Sequence, residues 1–239
     1  MYDVGILFPA YNEERTIGIV VRDTKRFFPN SVIVVVDDGS SDRTAKIAEK
    51  SGAIVIRHES NMGKGEALKT GFEFFLKHTR VKYVIVADAD GQYSIKDGIR
   101  LLVPLKNDKA DVVVGMRNWK DVPFLHRLGN AIWRITFNLL FGTHLRDTNC
   151  GFMAFNRRAL KLIKHTGGGY IIENSLIIEA LKRKLRISQV PVNVFYKRVS
   201  PFLRGVRMVL GILIFIIREG IKYRIKSFKN SLLNLHKKF

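Results

Sequence analysis

Residues 32–42 read Val32-Ile33-Val34-Val35-Val36-Asp37-Asp38-Gly39-Ser40-Ser41-Asp42, five β-branched apolar residues running directly into acidic and small ones. An unbroken apolar run of this length marks a strand buried on both faces. The Asp-Gly-Ser group behind it marks a turn at the strand's carboxyl end. Similar apolar runs stand at 4–8, 53–56, 83–87 and 112–114, with segments of helical length between them at 14–27, 41–51, 64–78 and 95–106. Strands alternating with helices in this way predict an α/β fold, a mainly parallel central sheet flanked by helices.

In such sheets ligands bind outside the carboxyl ends of the strands. Three of those ends carry acids: Pro9-Ala10-Tyr11-Asn12-Glu13-Glu14, then 37–42, then Asp88-Ala89-Asp90-Gly91-Gln92. Asp88 and Asp90 flank one residue at a strand end, so the two-residue period points both the same way. Two oxygen donors so placed suit Mg²⁺ or Mn²⁺, which keep coordination positions for water and phosphate oxygens. The competing reading is that one of them caps a helix beginning near Ser94. The glycine-bearing stretch Ser60-Asn61-Met62-Gly63-Lys64-Gly65-Glu66 is neither common nucleotide motif. Leu68 replaces the third glycine of the dinucleotide pattern, and no Gly-Lys-Ser/Thr follows.

Four ordered motifs, Pro9-Ala10-Tyr11-Asn12-Glu13, 36–42, Asn61-x-Gly63-Lys64-Gly65 and Asp88-Ala89-Asp90, resemble the family 2 glycosyltransferases of the GT-A fold over roughly residues 3–200. Gln92, Gly115-Met116-Arg117 and the Arg198…Arg204 pair are similar to the dolichyl-phosphate mannose synthase branch. The resemblance implies that Pro9, Tyr11, Glu13, Val36 and Asp38 line a nucleoside pocket, while Asp37 chiefly holds the turn. It implies that Asp88 and Ala89 hold the ribose–diphosphate end of the donor, and that Asp88, Asp90 and Gln92 serve the metal. Arg117 follows a strand on the same rim and is suited to forked bonds to phosphate oxygens, with an ion pair to Glu13 as the plainer reading. Arg127 matches a lipid-phosphate arginine. Arg198 and Arg204 match the family's basic pair at the donor, although Ser200-Pro201-Phe202 replaces the usual Gly-x-Ser between them. Asp147-Thr148-Asn149-Cys150-Gly151-Phe152 resembles the segment that closes the acceptor side.

Composition bounds the rest. A chain of 239 residues with 46% hydrophobic content can bury a sizeable core, which excludes a disordered protein. Its one cysteine, Cys150, excludes an internal disulfide or a cysteine-built metal site and reads as a small buried residue. The opening Met1-Tyr2-Asp3-Val4 lacks a secretory pattern, so folding in the cytoplasm is expected. The net charge of +20 is uneven: residues 1–115 carry 17 basic and 16 acidic side chains, leaving 24 basic against five acidic for residues 116–239. Such a half implies a polyanionic partner, whether nucleic acid, an anionic membrane surface or a phosphorylated substrate. The acidic rim at 37, 38, 88 and 90 argues against nucleic acid, which stays the remote alternative.

The charge also bears on mechanism. A hydroxyl acceptor requires a general base, for which Asp147 and Glu173 are the candidates; Glu173 is otherwise a helix-start residue favoured by the dipole. A lipid phosphate is already ionised and needs mainly positioning. Residues 208–217 are ten uncharged residues, about half of the roughly 20 that span a bilayer. Beyond them Ile221, Ile225, Phe228, Leu232 and Leu235 fall on one helical stripe with Lys222, Arg224, Lys226 and Lys229 outside it. That is the pattern of an interfacial helix in an anionic headgroup layer, or of a coiled-coil seam. The expectation is a catalytic domain at 1–203 and C-terminal amphipathic helices at 204–239. The reaction expected is inverting, metal-dependent transfer of a hexose to dolichyl or polyprenyl phosphate. Mannose from GDP-mannose is the first choice and glucose from UDP-glucose the second, with a hydroxyl of a lipid-linked glycan as the alternative acceptor. The enzyme is expected as a peripheral protein on the cytoplasmic membrane face, alone or with a membrane partner subunit.

Overall fold

The computed structural model describes residues 2–118, 124–163, 171–195 and 202–236. In chain order the elements are β1 (Val4–Ala10), α1 (Ile17–Phe27), β2 (Ser31–Asp37), α2 (Thr44–Lys50), β3 (Ile54–Arg57), α3 (Lys64–His78), β4 (Tyr83–Val86), α4 (Gly98–Lys106), β5 (Val112–Arg117), α5 (Phe124–Phe141), β6 (Met153–Asn156), α6 (Arg157–Leu162), α7 (Ile172–Lys182), β7 (Ile187–Val192) and α8 (Phe202–His236). The strands form one sheet in the order β3-β2-β1-β4-β6-β5-β7. Pairing is parallel except on both sides of β6. This is the expected α/β fold.

The apolar runs explain the interior: Ile6, Leu7, Phe8, Val34, Val35, Val36, Val84, Ile85, Val112, Val113 and Val114 are fully buried. The register matches Ala10 with Asp37 and Leu7 with Val86, so the acidic segments after β1, β2 and β4 emerge on one rim. Two strands escape the sequence reading. β6 is only four residues long, and β7 is a half-buried edge strand containing Pro191, which an edge tolerates.

On the far side α5 and α8 pack along each other. Trp133, Phe137 and Phe141 of α5 and Ile212 and Ile216 of α8 are buried, and the Phe141 and Tyr223 rings lie 5.2 Å apart. Gly220 allows the approach, because a Cβ there would stand 2.7 Å from Leu140 side-chain carbons. The Arg224 guanidinium donates to the carbonyls of Leu139 and Leu140 at 2.7 Å each, capping the carboxyl end of α5. α5 begins at Phe124, and the tail expected as C-terminal amphipathic helices is one helix from Phe202. Leu128, Ile132, Ile135 and Leu139 of α5 and Leu210, Ile214, Ile217, Ile221, Ile225 and Phe228 of α8 face outward. Among the described residues no helix is long and apolar enough to cross a membrane.

Candidate active site

The rim begins at the ends of β1 and β2. Asp37 holds the turn, accepting from the Ser40 amide at 3.2 Å, with its other oxygen 3.2 Å from the Arg57 guanidinium. Asp38 accepts from the Met62 and Gly63 amides at 2.9 and 2.7 Å, and its Oδ1 lies 2.7 Å from His58 Nδ1. One carboxylate thereby fixes the loop entering α3. Gly39 sits beside it at φ 71°, where a Cβ would stand 2.5 Å from the Ser60 carbonyl carbon. Glu13 receives Thr16 Oγ1 at 2.6 Å on its carboxylate and donates its amide to Thr44 Oγ1 at 2.7 Å. The plainer reading of Arg117 as a partner of Glu13 therefore fails: Arg117 pairs with Asp147. Tyr11 is about half exposed above the rim, whereas Pro9 and Val36 lie buried beneath it in the sheet.

At the end of β4 the rim turns inward. Asp90 accepts from the Gln92 backbone amide at 2.9 Å and from its side-chain amide at 2.6 Å, and Ala89 is buried. Asp88 Oδ1 lies 2.5 Å from Lys64 Nζ, and Lys64 also donates to Glu173 Oε1 at 2.6 Å. One ammonium thus joins the first turns of α3 and α7 to the end of β4. Burial alone would lower the Lys64 pKa; Asp88 and Glu173 outweigh it and raise the value well above the ordinary lysine range. Gly151 makes room for this group, since a Cβ there would stand 2.6 Å from Asp88 Oδ2.

The donor set of Asp88, Asp90 and the Gln92 amide oxygen is hard and fits Mg²⁺ or Mn²⁺. Among the described residues no cluster of three or more His, Cys, Asp or Glu side chains could hold an ion. A metal at these carboxylates would therefore complete its shell with water and diphosphate oxygens, which is magnesium's usual habit.

Past β6 and β5 the chemistry changes sign. Arg117 makes a forked pair with Asp147, Nε to Oδ2 at 2.7 Å and Nη2 to Oδ1 at 2.9 Å. Asp147 also accepts from the Arg117 and Asn149 amides at 3.2 and 3.1 Å. Burial opposes the charge on Arg117, and Asp147 outweighs burial and holds the guanidinium protonated. Asn130 of α5 lies 3.5 Å from Arg117 Nη2. Between the two ion-pair groups Tyr93 accepts from the Gly151 amide at 3.0 Å. Cys150 is buried beside it as expected, and burial pushes its thiol up to about 12. Arg127 is exposed on the first turns of α5. Arg198 lies outside the described residues, as does the Arg204 side chain.

The structure thus brings together Asp88, Asp90, Gln92, Glu173, Arg117 and Asp147 and leaves Pro9 and Val36 in the core. Sequence reasoning gave Lys64 no role. A signal existed: a lysine opening a helix opposes the helix dipole, so it needs a partner. His58 and Tyr93 carried no such signal.

A family model described as Glycosyl transferase family 2 matches residues 6–163. The chain is 32% identical over 237 residues to a UDP-N-acetylglucosamine–dolichyl-phosphate N-acetylglucosaminyltransferase of Methanococcus voltae, covering 89% of this chain and 93% of that protein. It is 34% identical over 193 residues to a dolichyl-phosphate hexose transferase of Haloferax volcanii, covering 80% and 82%. Among solved structures, glucosyl-3-phosphoglycerate synthase from Mycobacterium tuberculosis in complex with Mn²⁺, uridine diphosphate and phosphoglyceric acid matches with a TM-score of 0.74. That match has 23% identity and covers 92% of this chain and 78% of that one, a likeness of fold.

Proposed function

The chain belongs to glycosyl transferase family 2 and is a glycosyltransferase, and we propose that its acceptor is a polyprenyl phosphate of the dolichyl type. One observation carries this reading: the two carboxylates that could serve a hydroxyl acceptor as general base each face a cation, Asp147 through both oxygens to Arg117 and Glu173 through Oε1 to Lys64. A base needs a lone pair directed at the proton it removes. A phosphomonoester is ionised at neutral pH and needs no base. Its oxygen attacks the anomeric carbon from the face opposite the diphosphate, the carbon–oxygen bond to the diphosphate breaks, and the nucleoside diphosphate departs with inversion. No proton moves.

In this reading Tyr11, Glu13 and the loop fixed by Asp38 receive the nucleoside, with Pro9, Val36 and Ala89 shaping the floor. Asp88 and Asp90, with Gln92, hold Mg²⁺ or Mn²⁺, which when bound neutralises charge on the departing diphosphate. Lys64 keeps Asp88 aimed at the rim. Asp147 is a positioning residue that orients Arg117 toward the acceptor phosphate, and Arg127, exposed on α5, adds positive charge on that side. The Methanococcus voltae relative is named for UDP-N-acetylglucosamine, which favours a uridine diphosphate sugar over GDP-mannose as donor. The tail from 204, with the outward face of α5, attaches the enzyme to the anionic cytoplasmic face of a membrane, alone or beside a membrane subunit.

The test supplies purified protein with labelled UDP-N-acetylglucosamine, UDP-glucose or GDP-mannose, each with dolichyl phosphate or dolichol, in detergent with Mn²⁺ and with or without chelator. Chelator-sensitive label in dolichyl phosphate from one donor, and none in dolichol, is the expected result. Transfer to a hydroxyl acceptor that collapses in Asp147→Asn overturns it.

A further inference from the structure

Beyond Arg117, at the carboxyl ends of β5 and β7, lies a cavity of about 430 Å³ to which Arg100, Arg117, Arg134 and Arg146 all contribute. They come from α4, β5, α5 and the segment before β6. Gathering four guanidinium groups around one space costs Coulomb energy unless anions neutralise them. Two carry their own: Arg100 pairs with Asp97 at 2.6 Å and Arg117 with Asp147. Among the described residues no carboxylate pairs with Arg134 or Arg146. The cavity therefore holds two surplus positive charges, matching one phosphomonoester, which carries nearly two negative charges at neutral pH.

The walls are held in place. The Arg146 amide donates to Gln189 Oε1 of β7 at 2.5 Å, and Gln189 Nε2 donates to the Asp147 carbonyl at 2.7 Å, so one side chain pins the segment that carries Arg146. Asp97, besides pairing with Arg100, accepts from the backbone and side-chain amides of Asn193 at 2.6 and 3.0 Å. Met116, Pro191 and Val192 give the same cavity an apolar side. Arg127 and Arg134 are seven residues apart on α5, so they share one flank, about 10 Å apart along the axis. The exposed Leu128, Ile132, Ile135 and Leu139 run beside that flank.

We propose that this cavity, on the acceptor side of Arg117 and apart from the Asp88–Asp90 rim, binds the phosphate of an apolar phosphomonoester through Arg134 and Arg146. The proposal rests on the polyprenyl-phosphate reading and assigns that reading two recognition residues that none of the family motifs contains. Arginine suits the task because its planar fork matches phosphate oxygens in pairs.

Farnesyl phosphate, farnesol and inorganic phosphate are the probes, thermal stabilisation of the full chain is the readout, and Arg134→Gln, Arg146→Gln and the double variant are compared with wild type. Farnesyl phosphate is expected to stabilise wild type, farnesol not, and inorganic phosphate to compete. The double variant is expected to need at least tenfold more farnesyl phosphate, with nucleotide-dependent stabilisation and the ligand-free midpoint unchanged. Arg134→Lys with Arg146→Lys, which keeps the charge, is expected to recover part of the loss. An unchanged farnesyl phosphate response in the double variant overturns the proposal, as does farnesol acting as well as its phosphate. Arginine-dependent binding of farnesyl phosphate in a protein that transfers sugar from no donor supports the cavity and removes the reaction, so the two readings fail separately.

Discussion

The proposed donor end of the rim and the proposed acceptor end solve the same problem, holding charge in place, by opposite means. Around β1, β2 and β4 the charges are acidic and are tied by nearby groups: Asp37 by Ser40, Asp38 by the loop at 62–63, Asp90 by Gln92. Around β5, β7 and α5 the charges are basic and are tied across the fold: Arg117 to Asp147, the 146 segment to Gln189, the end of α5 to Arg224. The first arrangement is complete in itself, and in the proposed reading it is a preformed rim for a cation and a diphosphate. The second gathers Arg134 and Arg146, which no carboxylate pairs with among the described residues, and in the proposed reading a phosphate neutralises them. Lys64 is the joint, because its ammonium reaches from the donor helix to Asp88 on one side and Glu173 on the other.

The comparison is tested hardest at Asp90. If the donor rim works by holding a metal and diphosphate, Asp90→Ala lowers sugar transfer by about 10³ or more at saturating acceptor. The same variant loses the chelator-sensitive part of nucleotide stabilisation, while its farnesyl phosphate response stays at the wild-type level. Full transfer in Asp90→Ala would remove the rim from the mechanism.

Breaking the joint comes next. Lys64→Met leaves two largely buried carboxylates without their shared cation, and removing one partner from such a group costs about 3 kcal/mol. The sign with pH follows from a folded pKa raised above the unfolded one. Stability from Lys64 is fully present below the unfolded value of about 10.4 and is lost as pH rises through the folded value. Wild type is therefore expected to lose stability at strongly alkaline pH, and Lys64→Met to be weaker at pH 7 with that loss absent. Denaturant midpoints at pH 7 and above pH 10.5 measure both, and parallel curves for the two proteins count against the joint.

The same contrast explains what could be read before the fold was known. The acidic rim at β1, β2 and β4 was legible because its strands are apolar runs and its acids follow them within a few residues, as with Val36 and Asp37-Asp38. β6 and β7 were not, since a four-residue strand and a half-buried edge strand carry too little periodicity. Nor was the pairing of Arg117 with Asp147, thirty residues apart, or the reach of Lys64 to Glu173, because nothing local encodes them. That each candidate base faces a cation was likewise invisible. Val36, which its motif also places at the nucleoside pocket, is fully buried in a doubly covered strand, so any part it plays is as floor beneath the rim.

A third, smaller effect lies at the foot of the acceptor end. Asp111, just before β5, accepts from the Arg186 amide and Nε at 2.9 and 3.1 Å and from Asn156 Nδ2 at 2.9 Å, pinning β5 to the start of β7 and to the end of β6. Burial alone would raise its pKa; the bonds from Arg186 and Asn156 overcome this and hold it at about 2. A depressed carboxylate contributes stability above its unfolded pKa, and that contribution is lost as pH falls through the folded one. Here the window is roughly pH 4 to pH 2, and the contribution at neutral pH is about 2 kcal/mol. Asp111→Asn is expected to lower the free energy of unfolding at pH 7 by about that amount and to flatten acid unfolding across the window. An unaltered acid transition would show that the β5–β7 pair is held elsewhere.

The smallest effect concerns where the acceptor end faces. Leu139 is 74% exposed on α5 and Ile214 is 65% exposed on α8, and exposed positions of this kind tolerate substitution with little change in stability. Each side chain returned to water from an interfacial layer forfeits apolar burial, and a charge placed there adds a further penalty. Leu139→Glu and Ile214→Glu are each expected to weaken flotation with vesicles of phosphatidylglycerol and phosphatidylcholine about tenfold, about 1.4 kcal/mol, leaving nucleotide stabilisation intact. Added salt weakens the wild-type association too, because basic residues bordering the stripe are screened from the anionic lipids. Equal flotation of both variants, together with a salt-insensitive dimer that Ile214→Glu dissociates, would mean that this face meets a second copy of the chain. The surplus charge of the acceptor end would then serve the phosphate alone and not the membrane that carries it.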